Sequence, residues 1–185
     1  MNLGKLYKCR IFYGNGTSLL VKKSKWRDKG MGVLSDIGSH LLDICMFWFG
    51  DQIKSIKVFE KNKFENKSLD HIVFHVLYKK VQLTLEMSLC MWKNTFTCDL
   101  IGSKGSGHLN SLCKWSDSNY IHRVRKFPSG YPSEKKTIFK MGDPTWKQEH
   151  NFFHKLINKK IKANNSRDLK INYYLSKLQY QPFYK

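Results

Sequence analysis

The stretch that decides the fold is Gly32-Val-Leu-Ser-Asp-Ile-Gly-Ser-His-Leu-Leu-Asp-Ile-Cys-Met-Phe-Trp-Phe-Gly50. It predicts a helix that Ser35 caps and that ends at Gly50, because serine favours N-caps and glycine favours the left-handed stop. Asp36, His40 and Asp43 follow i, i+4, i+7 spacing, so they share one face of this helix. Apolar residues occupy most of the remaining positions.

The polar face of this helix contains only short side chains, although the chain carries 28 lysines beside five arginines. A helix face exposed to solvent in such a protein would normally carry lysines, so the pattern predicts a face turned toward a pocket. A carboxylate one turn from an imidazole can orient it for proton transfer near neutral pH. The alternative is that Asp36 lies near the positive helix end and His40 simply faces water.

Length and composition indicate one globular domain over residues 1–185, with 41% hydrophobic and 14% aromatic residues. The chain has no apolar run of about eighteen residues, which argues against a membrane span. Its opening Met-Asn-Leu-Gly-Lys-Leu lacks the features of a signal peptide, so we expect a cytoplasmic protein. The five cysteines form no Cys-x-x-Cys pair, which predicts reduced thiols and neither a zinc site nor a disulfide framework.

The formal charge of +19 comes mainly from scattered lysines. A nucleic-acid binder would more usually cluster its charge and favour arginine, so we expect no nucleic-acid partner. A substrate that carries phosphate is compatible with this charge.

The order of predicted elements is strand, helix, a run of strands, then helices, which is typical of an α+β fold. Residues 81–90 alternate polar and apolar side chains, as in an antiparallel sheet covered on one face. The first strand, 5–13, has no earlier element to pair with it. The predicted strands are 5–13, 53–59, 70–78, 81–90, 95–101, 108–112 and 121–127, and the later helices begin at 145 and 168.

Two further residues are candidates for substrate binding. Arg123 shares a strand face with Arg125 and could bind a phosphate or carboxylate, although a solvated strand face is the more usual explanation of such a pair. Trp26 could contact a substrate, whereas tryptophans are more often core residues. The glycine-rich segment 102–107 lacks the order of a phosphate-binding loop and predicts a tight turn between strands.

The helix stretch, with Trp48 and Gly50 behind it, resembles the signature G-G-x-L-x-D-x-G-x-H-x-x-D. That signature belongs to the substrate domain of the Gfo/Idh/MocA oxidoreductases. Tyr13-Gly-Asn-Gly16 resembles the end of the family's first strand, and 101–106 resembles its G-[ST]-x-G turn. Asp143-Pro-Thr-Trp-x-x-Glu149 resembles its closing helix.

The resemblance implies an open-faced, predominantly antiparallel sheet with helices packed on one face. Family members move a hydride between NAD or NADP and a hydroxyl carbon of a sugar, cyclitol or nucleotide sugar. His40 matches the catalytic acid–base. Asp36 matches the carboxylate that orients it or binds substrate hydroxyls, and Asp43 matches a structural position that holds the helix to the sheet.

The chain departs from the family because it has neither Gly-x-Gly-x-x-Gly after a first strand nor a Glu-Lys-Pro lysine. We therefore expect NAD or NADP to be bound mainly by a domain absent from this chain. Expected partners are a separate Rossmann-domain subunit and a second copy of the chain at the open sheet face. The alternatives are a non-catalytic interaction module and, less favoured, a basic nucleic-acid binder. We expect no dehydrogenase activity from the isolated chain.

Overall fold

Eight β-strands form one sheet in the computed structural model, which describes residues 2–79, 81–140, 142–162 and 164–182. The strands are β1 Leu6–Gly14, β2 Ile53–Asn62, β3 His71–Tyr78, β4 Val81–Ser88, β5 Thr95–Gly102, β6 Gly105–Asn110, β7 Ser118–Val124 and β8 Ser133–Phe139. The helices are α1 Ser18–Lys23, α2 Ser39–Phe49, α3 Thr145–Ile157 and α4 Ser166–Tyr180.

The strands lie in the order β2-β3-β4-β1-β5-β6-β7-β8. The described pairings are antiparallel except for that of β1 with β4, which is parallel and places Ile11 opposite Leu85. The first strand, for which the sequence offered no earlier element as a partner, therefore pairs with two later strands. β1 lies inside the sheet between β4 and β5, because its partners come from much later in the chain.

The core lies on one face of this sheet. Leu83, Leu85 and Met87 of β4 all point into it and are fully buried, which confirms the period-two pattern. Helices α2 and α4 cover that face with buried side chains, while the other face of the sheet stays open. This arrangement confirms the α+β prediction. The buried helix residues are Leu41, Leu42, Cys45, Met46, Ile171, Leu175 and Leu178.

Two elements were not predicted from the sequence. β8 is an edge strand in which every described residue is at least partly exposed, so it carries no alternation of burial that a pattern could reveal. α1 is a single short helix after the turn that follows β1. Helix α3 was predicted, but none of its described residues is buried; Trp146, Phe152 and Phe153 are all more than half exposed.

A buried carboxylate orders the loop between β2 and β3. Asp70 is fully buried and accepts hydrogen bonds from the backbone N–H groups of Phe64, Glu65 and Asn66 at 2.9, 2.7 and 3.1 Å. Leu69 in the same loop accepts a bond from Val33 N–H at 2.7 Å. The loop thereby fixes the start of the helical segment that carries Asp36 and His40.

Candidate functional site

The helical segment that carries the predicted site begins at a glycine that the backbone requires. Gly32 has φ +58°, and a Cβ at this position would lie 2.0 Å from the carbonyl oxygen of Leu69. The chain is already helical at Val33, so Ser35 is not the N-cap that we predicted; its hydroxyl donates back to the Gly32 carbonyl at 2.9 Å. The helix ends as predicted at Gly50, where φ is +83°.

A π-helical turn over 34–38 precedes α2. This turn contains Asp36 and ends just before His40. Because a π turn holds more residues than an α turn, it rotates Asp36 away from the position that i, i+4 spacing in a regular helix predicts. Such turns are frequent at functional sites.

Asp36 pairs with an arginine that the sequence analysis did not select. Arg27 Nη2 donates to Asp36 Oδ1 at 2.7 Å, and each side chain is 28% exposed. The other carboxylate oxygen lies 3.4 Å from Thr17 Oγ1. Thr17 is held by Asn15 Oδ1, which accepts bonds from its N–H and its hydroxyl at 3.1 and 2.7 Å. Because the single hydroxyl proton of Thr17 is donated to Asn15, Arg27 is the group that orients Asp36 in this structure.

His40 lies on the first turn of α2 and is exposed. Among the described residues, its ring nitrogens make no hydrogen bond within the chain. Its ring centroid lies 6.5 Å from that of Tyr13, at the end of β1. The prediction that the polar face of this helix turns toward a pocket does not hold for this chain alone, because His40 and Asp43 are exposed and Asp36 is half-buried.

Tyr13 is the second side chain that sequence reasoning did not select as a site residue. Its ring packs edge-on against Phe96 and Trp115, with centroid distances of 5.9 and 5.5 Å. Burial raises the pKa of the Tyr13 hydroxyl, and the nearby negative charge of Asp36 raises it further. A neutral phenol thus lies near both an imidazole and a carboxylate where β1 ends. The signal that could have revealed Tyr13 is its position directly before Gly14.

The remaining predicted residues are Trp26, Arg123 and Asp43. Trp26 is 78% exposed beside Arg27. Arg123 lies on the opposite, open face of the sheet, where its Nε donates to Glu134 Oε2 at 2.6 Å, so the structure does not bring it together with His40. Asp43 is exposed, and its Oδ1 lies 3.6 Å from Arg167 Nη1 of α4, a surface ion pair that contributes little to stability.

A serine, a histidine and an aspartate form a relay on the open face. His108 Nδ1 lies 2.6 Å from Asp99 Oδ1, and its Nε2 lies 2.8 Å from Ser106 Oγ. This order of contacts is that of a serine-hydrolase triad. Ser106 lies within β6, however, which pairs with β5 and β7 on its two sides, so the ladder uses the backbone N–H groups that an oxyanion hole needs. We interpret the relay as a structural contact.

Beside the Arg27 segment lies a basic cavity of about 650 Å³. Lys29, Lys63 and Lys67 line it, whereas Asp28 is occupied by the backbone N–H groups of Lys67 and Ser68 at 2.7 and 3.1 Å. Those bonds lower the pKa of the Asp28 carboxyl. Positive charge therefore predominates in this cavity, which suits an anionic group.

The described part of the chain holds no group of three or more His, Cys, Asp or Glu side chains that could bind a metal. Its five cysteines are free. None of the helices in those same ranges combines the length and the apolar character that crossing a bilayer would require.

Comparison with known proteins gives a family and a fold. Residues 2–108 match the family model described as the GFO/IDH/MocA C-terminal domain. No curated protein matches the chain. A candidate NADPH-dependent oxidoreductase from Desulfitobacterium hafniense superposes with a TM-score of 0.74 at 18% identity, over 96% of this chain and 53% of that one.

Two further solved structures share this fold. UDP-N-acetylglucosamine 3-dehydrogenase from Acidithiobacillus ferrooxidans has a TM-score of 0.69 at 11% identity, over 95% of this chain and 54% of that chain. Levoglucosan dehydrogenase in complex with NADH has a TM-score of 0.59 at 14% identity, over 74% of this chain and 40% of that chain. The chain thus spans about half the length of the structures that it matches.

Proposed function

The chain belongs to the GFO/IDH/MocA C-terminal domain family, and we propose that it is the substrate-binding part of an NAD(P)-dependent dehydrogenase acting on a sugar, cyclitol or nucleotide sugar. The observation that carries this proposal is that Tyr13, where β1 ends, lies near both His40 and Asp36. The similarity in fold to a nucleotide-sugar dehydrogenase and to levoglucosan dehydrogenase supports it.

His40 is the proposed acid–base. Its exposed ring and the absence of a bond from its nitrogens to any described residue leave both nitrogens available to a substrate hydroxyl. Imidazole is the side chain best suited to exchange a proton near neutral pH. When the hydroxyl carbon is oxidised, His40 takes the hydroxyl proton; in the reverse reaction it returns that proton to the oxygen.

Asp36 is proposed to bind substrate hydroxyls rather than to orient His40. Arg27 holds its carboxylate in place, so its free lone pairs can accept hydrogen bonds from a sugar. Trp26, beside Arg27 and largely exposed, offers a flat apolar surface for a sugar ring. For a nucleotide sugar, the lysine-lined cavity beside this segment would receive the phosphates.

The cofactor in this proposal is NAD or NADP, which supplies the hydride acceptor. These 185 residues do not contain the Gly-x-Gly-x-x-Gly pattern that binds a dinucleotide. We assign that role to a Rossmann domain, carried by the same polypeptide or by a separate subunit. On this proposal the purified 185-residue chain has no dehydrogenase activity of its own, and turnover of NAD(H) with a sugar by this chain would contradict it.

The first experiment tests binding by the chain itself. NMR titrations with glucose, myo-inositol and a UDP-sugar should shift signals of Tyr13 and His40 first. Asp36→Asn should weaken binding by about tenfold, since it removes a charge-assisted hydrogen bond of roughly 1.4 kcal/mol or more. His75→Asn on the open face is the matched control and should leave binding unchanged. Shifts confined to the open face would contradict the proposed site.

The second experiment separates catalysis from interaction. With a nicotinamide-binding domain supplied in trans, His40→Asn should lower kcat by roughly 10²–10⁴-fold with substrate binding retained. Activity that does not depend on His40 would contradict the acid–base role. Association with that domain but no turnover in the unaltered complex would favour the alternative, a non-catalytic interaction module.

Self-association through the open sheet face is part of the proposal. This face exposes the apolar side chains of Phe59, Leu77 and Ile138 among polar ones, and pairing with a second copy would remove them from water. Analytical ultracentrifugation should show a dimer that Leu77→Glu dissociates. Leu169→Glu, on exposed α4 surface, is the control. A monomer in the unaltered chain would contradict this part.

A further inference from the structure

Two histidines lie one turn apart on the exposed helix α3. The Nε2 atoms of His150 and His154 are 3.1 Å apart, and the ring centroids are separated by 4.5 Å. Both rings are exposed, and no described residue of α3 is buried. The helix backbone fixes their i, i+4 spacing, so the two donor atoms are held close together before any ligand arrives.

The distance between these nitrogens fits a chelated metal ion. Zinc–imidazole bonds measure about 2.0–2.1 Å. With donors 3.1 Å apart, bonds of that length enclose an N–metal–N angle of about 98°. This angle lies between the square-planar or octahedral value and the tetrahedral value. We propose that His150 and His154 chelate one borderline divalent transition-metal ion of the Ni²⁺, Cu²⁺ and Zn²⁺ group.

The chemistry of the pair determines which ions bind. Imidazole suits Zn²⁺, Cu²⁺ and Ni²⁺, whereas Mg²⁺ and Ca²⁺ prefer oxygen ligands. In the free protein, one Nε2–H donates to the other Nε2, so binding requires both rings to carry their proton on Nδ1 instead. Because no cluster of three metal-binding groups occurs among the described residues, water completes the coordination shell and the ion exchanges readily.

The test is calorimetric titration of the 185-residue chain with Ni²⁺ alone. His150→Asn and His154→Asn should each lower the affinity by about tenfold or more, because a bidentate site becomes monodentate. His150→Asn combined with Gln148→His is the matched control: it keeps the number of histidines but places the two rings on different sides of the helix. This control should bind as weakly as the single variants.

A rescue variant distinguishes loss of the histidine pair from misfolding of the histidine variants. Trp146 is 69% exposed, so Trp146→His combined with His154→Asn rebuilds an i, i+4 pair one turn earlier. This variant should recover Ni²⁺ affinity to within about threefold, given the same helix geometry. Circular dichroism checks that every variant keeps its helix content. No Ni²⁺ binding by the unaltered chain, or unchanged affinity when both histidines are replaced, would overturn the proposal.

Discussion

Replacing Gly32 with alanine should destabilise this protein more than any comparable glycine substitution at the site. Two costs add at this position. The left-handed backbone at φ +58° costs a residue with a side chain about 1–2 kcal/mol. The new Cβ would also lie 2.0 Å from the Leu69 carbonyl oxygen and 2.8 Å from the Leu69 nitrogen, which are backbone atoms.

The second cost follows from what must move. Separating Gly32 from Leu69 breaks the buried hydrogen bond from Val33 N–H to Leu69 O, now 2.7 Å long. Leaving buried groups unsatisfied costs about 1–3 kcal/mol. Together the two costs predict a loss of about 2–5 kcal/mol in the free energy of unfolding.

Two other glycines separate these costs. Gly50 has φ +83°, and an alanine Cβ there would meet no described atom within 4 Å beyond its chain neighbours. Gly50→Ala should therefore lower the free energy of unfolding only by the backbone strain, about 1–3 kcal/mol. Gly30 has φ −90° and ordinary 3.6 Å contacts, so Gly30→Ala should be neutral or stabilise by up to about 1 kcal/mol.

Urea unfolding of the three variants with equal m-values is the measurement. The expected order of destabilisation is Gly32→Ala, then Gly50→Ala, then Gly30→Ala. A Gly32→Ala variant no less stable than Gly50→Ala would refute the close approach to Leu69. On the proposed function, the same variant should also weaken sugar binding, since the helical segment with Asp36 starts at this glycine.

Three other predictions follow from buried or charged groups. Asp70→Ala should cost about 3 kcal/mol or more in urea unfolding, because the backbone N–H groups of 64–66 lose their acceptor; a cost below about 1 kcal/mol would contradict this. Contact with the Cys9 thiol and burial both raise the pKa of the Cys98 thiol. Iodoacetamide at pH 8 should therefore modify Cys98 far more slowly than the partly exposed Cys113, and mass spectrometry of the two peptides measures the rates. The pKa of Asp28 is lowered in the folded protein, so the ionised carboxylate stabilises the fold above the ordinary value of 3.8, and this stabilisation is lost as the pH falls through the folded pKa. The difference in unfolding free energy between the unaltered chain and Asp28→Asn should therefore shrink below pH 3.8. A difference that does not depend on pH would contradict this prediction.

Much of the fold could be predicted because residues close together in the sequence determine where its strands and helices begin and end. The alternation in β4 predicted a sheet covered on one side, and Gly50 predicted the end of α2. The position of β1 could not be predicted, since its pairing depends on strands about seventy to ninety residues later. β8 lacked a burial pattern because backbone pairing with β7 and the Arg123–Glu134 contact hold it at the edge.

The candidate site was predicted in part. His40 and Asp36 were selected from their spacing, and the structure places both near the end of β1. The π turn over 34–38 could not be predicted from i, i+4 spacing, which assumes a regular helix. Arg27 and Tyr13 join the site through the tertiary fold, so no local pattern would have linked them to Asp36.

The interior position of β1 has a consequence for how the chain folds during synthesis. β2 to β4 can pair as neighbouring hairpins, and so can β5 to β8, whereas β1 is made before both β4 and β5, the two strands that it joins. Its last partner residue in β5, Gly102, pairs with Leu6 across 96 positions. The two hairpin groups can therefore form early, and joining them through β1 is the slow, long-range step. Until that step, β4 and β5 each expose an unpaired edge, so crowding by other nascent copies at this stage favours aggregation.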